Sequence, residues 1–239
     1  MTNSGIKISI VIPVFNAQNT IARLVDQLIS EIPQKYDSEI ILVNDCSSDN
    51  SHSTCLKLYE EHKGKVKYLS LAKNFGEHNA VMAGLNKASG DYSVIMDDDF
   101  QNPVSEVIKL VEYAASNDFD VVYTYYEKKK HNPWRNFGSR LNNAMANILL
   151  KKPRHLYLSS FKCINRFLVN EIIKYDLPYP YIDGLIMRTT SNIGKIEVQH
   201  DNREHGKSGY TLRKLIKLWS NMFTSFSVIP LRISIFVGL

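Results

Sequence analysis

The chain carries neither of the glycine-rich signatures that cradle nucleotide phosphates at a helix N-terminus. No G-x-G-x-x-G follows the first strand-like run and no G-x-x-x-x-G-K-[ST] occurs anywhere, so dinucleotide oxidoreductases and P-loop enzymes lose most of their standing. Cysteine is scarce. Cys46, Cys55 and Cys163 have no metal-type spacing and cannot all pair, which makes a reducing compartment the simpler reading. The N-terminus runs directly into IKISIVIPVF, without the charged stretch, apolar run and cleavage site of a secretory signal. No window reaches the roughly 18 apolar residues that a spanning helix needs. Internal repeats and low-complexity linkers are also missing.

What is present is an ordinary globular composition. A 44% hydrophobic and 22% charged share over 239 residues supplies a core and argues against disorder. The net charge of +5 is unevenly spread. Acidic residues concentrate before residue 130, whereas Lys and Arg crowd 128–154 and 203–217. Such asymmetry points to a basic surface facing phosphate groups, a lipid surface or nucleic acid. The basic residues form no recognised nucleic-acid motif, which sets nucleic acid aside.

The first 125 residues alternate strand-like and helix-like runs. Strands are expected at Ile6–Ile12, Ile40–Val43, Val66–Leu71, Tyr92–Met96 and Asp120–Tyr125. Helices are expected at Thr20–Ser30, from the polar turn Asn44–Asp49 through about Glu61, at Glu77–Lys87, and from Pro103 onward. This alternation predicts an α/β fold, a mainly parallel twisted sheet with helices on both faces. Ligands then sit at the carboxyl ends of the strands. Beyond Lys128 the expectations are a helix at Ser139–Leu150, a strand around Leu156–Cys163, a helix near Asn165–Tyr175, a turn at Leu177–Tyr181 and a strand at Lys195–Gln199. A last amphipathic helix, about Thr211–Ser225, has an apolar face with Trp219 at its edge and Arg213, Lys214 and Lys217 lying off that face. That is the composition of a helix on an anionic bilayer surface, although the same periodicity fits a helix packed on the core. Trp134 in KKKHNPWR would anchor similarly. The apolar run Val228–Leu239 raises the expectation that a membrane segment follows. The organisation expected is a catalytic domain over 1–200, with halves of about 1–125 and 126–200, and a juxtamembrane segment over 201–239.

The carboxylates Asp45, Asp97, Asp98 and Asp99 fall at the predicted strand ends. In MDDDFQNP (Met96–Pro103), three adjacent aspartates would repel one another without a cation. If the backbone stays extended, Asp97 and Asp99 share a face and Asp98 points away. With Gln101 they make a hard oxygen site for Mg²⁺ or Mn²⁺. The bland alternative is an acidic turn capping the helix at Pro103. In NDCSSDNS (Asn44–Ser51), Asp45 could accept hydrogen bonds from a nucleobase or ribose edge, while Ser48, Asp49 or Asn50 could simply cap the next helix. Small residues Ala80, Ala83 and Gly84 permit close packing. His78, His200 and His205 show no metal-ligand spacing and read as structural or surface residues.

Taken in order, VIPVFNAQNTI, ILVNDCSSDNS, LAKNFGEHNAVMAGLNKASGDYSVIMDDDFQNP and REHGKSGYTLRKL resemble glycosyltransferase family 2, with its A-type nucleotide-sugar fold. The continuation of the aspartates into Phe-Gln-Asn-Pro, and the late Arg203…Gly206-Lys-Ser-Gly-Tyr210, are similar to the polyprenyl-phosphate subgroup. The resemblance implies a nucleotide-diphosphate sugar donor, a polyprenyl phosphate acceptor and inverting transfer at the cytoplasmic face of the membrane. It leaves room for a homo-oligomer. It places Pro13, Phe15, Asn16, Asp45, Asn74, Gly76, Asp97 and Asp98 around the donor, and Asp97, Asp99 and Gln101 around the metal. Lys162, Arg203, Lys207 and Ser208 fall by the acceptor phosphate, and Asp99, Arg203 and Asp183 in catalysis. Ala17, Asn44, Lys162 and Asp183 depart from residues common at those positions, and Asp183 is expected to meet a polar or amino group of the sugar. Two other readings stay open: a soluble relative extending a glycan hydroxyl, with Asp183, Asp98 or a histidine as base, and a non-catalytic sugar-nucleotide binding module.

Overall fold

The computed structural model describes residues 5–126 and 156–199, together with residue 235. The first half follows the expected alternation: β1 (Lys7–Val14), α1 (Ile21–Glu31), β2 (Asp37–Asn44), α2 (Ser51–Glu61), β3 (Val66–Ser70), α3 (Glu77–Leu85), β4 (Tyr92–Ile95), α4 (Val104–Ser116) and β5 (Val121–Tyr125). The second half adds β6 (Lys162–Asn165), α5 (Arg166–Ile172), α6 (Ile182–Thr189) and β7 (Ile193–Glu197). All the strands join one seven-stranded sheet in the order β3-β2-β1-β4-β6-β5-β7. β1 to β4 are parallel, β6 runs antiparallel to both β4 and β5, and β7 is parallel to β5.

Side-chain alternation builds two cores. Ile8, Ile10, Ile12 and Val14 of β1 turn to one face and pack with Leu24 and Leu28 of α1, Leu58 of α2 and Val107 and Leu110 of α4. Val11, with Ile41 and Val43 of β2, turns to the other and meets Ala80 and Leu85 of α3, Leu168 of α5 and Ile186 of α6. A strand buried on both faces reads as a continuous apolar run, which is why Ile6–Ile12 was legible as a buried strand, although β1 runs on through Pro13 to Val14. At the amino ends of the strands Glu39 ties the sheet together. It accepts from Ser9 Oγ at 2.6 Å and from the Ser89 amide at 2.6 Å, and pairs with Lys67 Nζ at 2.6 Å.

Two expectations need correction. The strand foreseen around Leu156–Cys163 begins only at Lys162, because Ser159 is spent on irregular contacts: its hydroxyl donates to Phe161 O at 2.7 Å and accepts from the Thr124 amide at 3.1 Å. Helix α6 was not foreseen. Its Ile182, Leu185 and Ile186 are buried at helical spacing, but eight residues containing Gly184, directly behind a Pro-Tyr-rich turn, give a weak signal. Among the described residues no helix is long and apolar enough to cross a membrane. The helices expected at 139–150 and 211–225, and Trp134, His200, Arg203, His205, Lys207 and Ser208, lie outside the described residues.

Candidate active site at the carboxyl ends of the strands

The loops after β1 and β2 are stitched to each other. The Asn16 amide donates to Ser47 Oγ at 3.0 Å, and Asn16 Oδ1 accepts from the Ser48 amide at 2.9 Å. The Ala17 amide donates to Ser51 Oγ at 2.8 Å, and the Gln18 amide to Asp49 Oδ2 at 3.2 Å. Asn44, the departure from a common aspartate, accepts from the Ser47 hydroxyl at 2.6 Å. The serines of NDCSSDNS therefore serve the neighbouring loop, and Asn50 holds the N-cap of α2 without a side-chain cap bond.

Asp45, 3% exposed, reaches across to the loop after β3. Its two oxygens accept from the amides of Phe75 and Gly76, each at 2.8 Å. Gly76 sits at φ +94°, a backbone that only glycine adopts without strain. Burial pushes the Asp45 carboxyl up, and the two amides oppose that shift. Asn74 Nδ2 donates to Asp45 O at 3.3 Å. Asp45 thus fixes the loop that carries Asn74 and Gly76. Phe15 and Phe75, from the loops on either side of β2, are 48% and 47% exposed and leave aromatic surface next to it. Pro13 lies within β1, in register with Val43.

The acidic loop departs from the alternation argument. β4 ends at Ile95, before the aspartates, so an extended backbone no longer dictates their facing. Asp97 Oδ2 accepts from Ser160 Oγ at 2.6 Å, Asp98 Oδ2 from the Phe15 amide at 3.5 Å, and Asp99 Oδ1 from the Gln101 amide at 3.1 Å. Phe100 turns through φ +60°, with the Arg23 guanidinium 4.1 Å from its ring centroid. The N-cap position of α4 is held by Pro103 itself, with no side-chain cap bond there. Burial, then the charge of Asp97 and that of Asp99, push the Asp98 carboxyl up to about 7. Three carboxylates crowded at one strand end, with an amide oxygen from Gln101, are hard donors that fit Mg²⁺ or Mn²⁺. Among the described residues no three His, Cys, Asp or Glu side chains stand close enough together to hold a metal ion between them. A cation held by Asp97, Asp99 and Gln101 would take its other ligands from water and substrate oxygens, the usual habit of Mg²⁺.

On the far side of the acidic loop, Lys162 and Asp183 form a buried ion pair, 4% and 6% exposed. Tyr123 Oη donates to Asp183 Oδ1 at 2.8 Å, and the Lys162 ammonium lies 5.0 Å from the Tyr123 ring centroid. The two residues expected to meet the acceptor phosphate and the sugar separately are thus each other's partner here. His78 stands edge-on to Tyr181, ring centroids 4.9 Å apart. Ser160 and Tyr123 were missed from the sequence; Ser160 lies 63 residues from Asp97, and nothing local marks it.

An open sheet with this strand order and an acidic loop beside its central strands defines an A-type glycosyltransferase fold. Solved structures agree: glucosyl-3-phosphoglycerate synthase of M. tuberculosis superposes with TM-score 0.68 at 18% identity, covering 92% of this chain and 78% of that one. Its complex with Mn²⁺ and UDP-glucose superposes with TM-score 0.67, also at 18% identity, over 92% of this chain and 78% of that one. The chain belongs to glycosyl transferase family 2, whose profile matches residues 9–173. Among its relatives is the undecaprenyl-phosphate 4-deoxy-4-formamido-L-arabinose transferase of Serratia proteamaculans (strain 568), 34% identical over 235 residues, covering 97% of this chain and 71% of that protein. The transferase of the same name from Proteus mirabilis (strain HI4320) is 32% identical over 233 residues, again covering 97% of this chain and 71% of the relative.

Proposed function

We propose that this protein transfers a sugar from a nucleotide-diphosphate sugar to a polyprenyl phosphate of the undecaprenyl type, with inversion, at the cytoplasmic face of a membrane. The observation that carries the reading is the 34% identity to an undecaprenyl-phosphate sugar transferase over 97% of this chain. The acidic loop of Asp97, Asp99 and Gln101 supports it at the place in the sheet where donors bind. Bound there, Mg²⁺ or Mn²⁺ neutralises charge developing on the leaving diphosphate. Asp97, Asp99 and Gln101 hold the site, and Ser160 orients Asp97 from the opposite side. Asp45 keeps the loop carrying Phe75 and Gly76 in place beside the base, and Phe15 and Phe75 offer ring faces to it. Stacking of a base on an aromatic ring contributes about 1–3 kcal/mol.

A phosphate monoester is already anionic at neutral pH, so the acceptor requires positioning more than deprotonation. Arg203, Lys207 and Ser208 are assigned to that task from the sequence. The helix over 211–225 is assigned to the membrane surface. Lys162 is better placed as the partner of Asp183 than as a ligand of the acceptor.

The test is a screen of nucleotide sugars with Mn²⁺ or Mg²⁺ and undecaprenyl phosphate, read by product mass. A product equal to the lipid phosphate plus one glycosyl residue is expected. Asp99→Asn is expected to lower turnover at least about 100-fold with the fold intact, and EDTA to abolish it. Transfer only to a saccharide, or full activity in EDTA, would contradict the proposal.

A further inference from the structure

The acidic loop links β4, which ends at Ile95, to α4, which begins at Val104, and its backbone is irregular throughout. Side-chain contacts hold much of its shape. Two of them come from the β5–β6 side of the sheet and grip the loop near its two ends. Ser160 Oγ donates to Asp97 Oδ2 at 2.6 Å, and Tyr126 Oη donates to Asn102 Oδ1 at 3.0 Å. Asn102 is buried. Both hydroxyls stand on firm supports. Tyr126 directly follows β5. The residues on either side of Ser160 are locked: the Ser159 hydroxyl and that of Thr124 in β5 both donate to Phe161 O at 2.7 Å, and Phe161 is buried in the core.

We propose that Ser160 and Tyr126 are positioning residues for the metal. They hold the acidic loop in its cation-binding shape from the β5–β6 side, and Ser160, by engaging one oxygen of Asp97, tunes the site to Mg²⁺ or Mn²⁺ over Ca²⁺. The inference rests on the metal reading above and deepens it.

At 2.6 Å the Ser160 bond has the length of a charge-assisted hydroxyl–carboxylate bond. Such a bond fixes the orientation of the carboxylate. Removing a partner of this kind from behind a metal-binding side chain typically costs about 10- to 100-fold in metal affinity. Coordination chemistry supplies the selectivity. Asp97 has Oδ2 engaged by Ser160, and Asp99 has Oδ1 engaged by the Gln101 amide. Each carboxylate is thereby oriented to meet a cation through its other oxygen rather than through both. Mg²⁺ and Mn²⁺ accept single-oxygen carboxylates and complete an octahedron with water and phosphate oxygens. Ca²⁺ takes about six to eight oxygens and often grips a carboxylate by both. Tyr126 acts at the other end of the loop. By holding Asn102 it fixes the backbone next to Gln101, whose side chain supplies the amide oxygen.

The experiment titrates Mn²⁺ into the whole chain, alone and with UDP or GDP. Free Mn²⁺ is read by electron paramagnetic resonance against the nucleotide by itself, and the titration is repeated with Ca²⁺ as competitor. Ser160→Ala is expected to weaken Mn²⁺ binding about 10-fold or more. Ca²⁺ affinity is expected to stay within about 2-fold, so the preference for Mn²⁺ narrows. Ser160→Thr, which keeps the hydroxyl, is expected to restore both. Tyr126→Phe, which keeps the ring, is expected to weaken Mn²⁺ about 3-fold with the far-ultraviolet spectrum unchanged. Unchanged Mn²⁺ affinity in Ser160→Ala, a loss shared equally by Mn²⁺ and Ca²⁺, or no rescue by Ser160→Thr would overturn the role of Ser160. Unchanged affinity in Tyr126→Phe would overturn that of Tyr126. The metal reading would stand in each case. Unsubstituted protein that takes up no Mn²⁺ under any of these conditions would overturn the metal reading itself.

Discussion

Glu39 and Asp98 show how one side-chain type is handled in opposite ways at the two ends of the sheet. At the amino end, burial acts to raise the Glu39 pKa, but hydrogen bonds from Lys67, Ser9 and Ser89 outweigh it and hold the carboxyl at about 2. A carboxyl whose folded pKa is depressed stabilises the fold above its unfolded value, and that contribution is lost as pH falls from about 4.5 through about 2. Glu39→Gln is therefore expected to cost about 2 kcal/mol or more at pH 7 in urea unfolding, with the deficit shrinking below pH 4. At the carboxyl end, Asp98 has no comparable set of donors, and its pKa is raised from 3.8 to about 7. Here the sign reverses. The folded state holds the proton more tightly, so stability is lost as pH rises through that window. Asp98→Asn is expected to stabilise the cation-free protein by about 1 kcal/mol or more at pH 8, and to make no difference near pH 4. An unfolding midpoint unchanged at pH 8 would refute that assignment. A strand end that pays in stability for crowded charge is where function belongs.

At the scale of elements, α3 illustrates what a small residue permits. A Cβ on Gly84 would lie 2.4 Å from Val11 Cγ1 and 3.2 Å from Val43 Cγ2, so the helix backbone rests directly on β1 and β2. Alanine at such a site gains about 1 kcal/mol of helix propensity against the clash. Valine adds two methyl groups and forfeits that gain. Gly84→Val is expected to destabilise the protein by about 2 kcal/mol or more, by calorimetric or urea unfolding. Because Gly76, the N-cap of α3, is held by Asp45, the same substitution is expected to weaken donor binding from a distance. Native-like stability in Gly84→Val would show that α3 sits further from the sheet. Ala80 and Gly84 were recognised as packing residues from the sequence because small side chains at helical spacing have a local signature. Helix α6 lacked one, being short and interrupted by glycine, and it is ordered by burial of Ile182 and Ile186 against elements remote in the chain.

For the whole molecule, the strands of the first half and the polar loops at their carboxyl ends were legible residue by residue. Fully buried parallel strands are written as apolar runs, and acidic loops cannot hide among them. The second half was legible only in outline. β6 is short, antiparallel, and wedged between β4 and β5, and nothing in four residues announces that insertion. It is this insertion that carries Lys162 to Tyr123 and Asp183, and Ser160 to Asp97.

The sequence by itself determined the class of fold, the family and the acidic loop, because hydrophobic period and motif order are local properties of the chain. Only the tertiary structure decided how the side chains pair. It fanned the three aspartates toward Ser160, Phe15 and Gln101, and set Asp45 to hold the Phe75–Gly76 loop. It also paired Lys162 with Asp183. Each of these depends on which strands are neighbours, and strand adjacency is settled by burial over the whole sheet rather than by any stretch of residues.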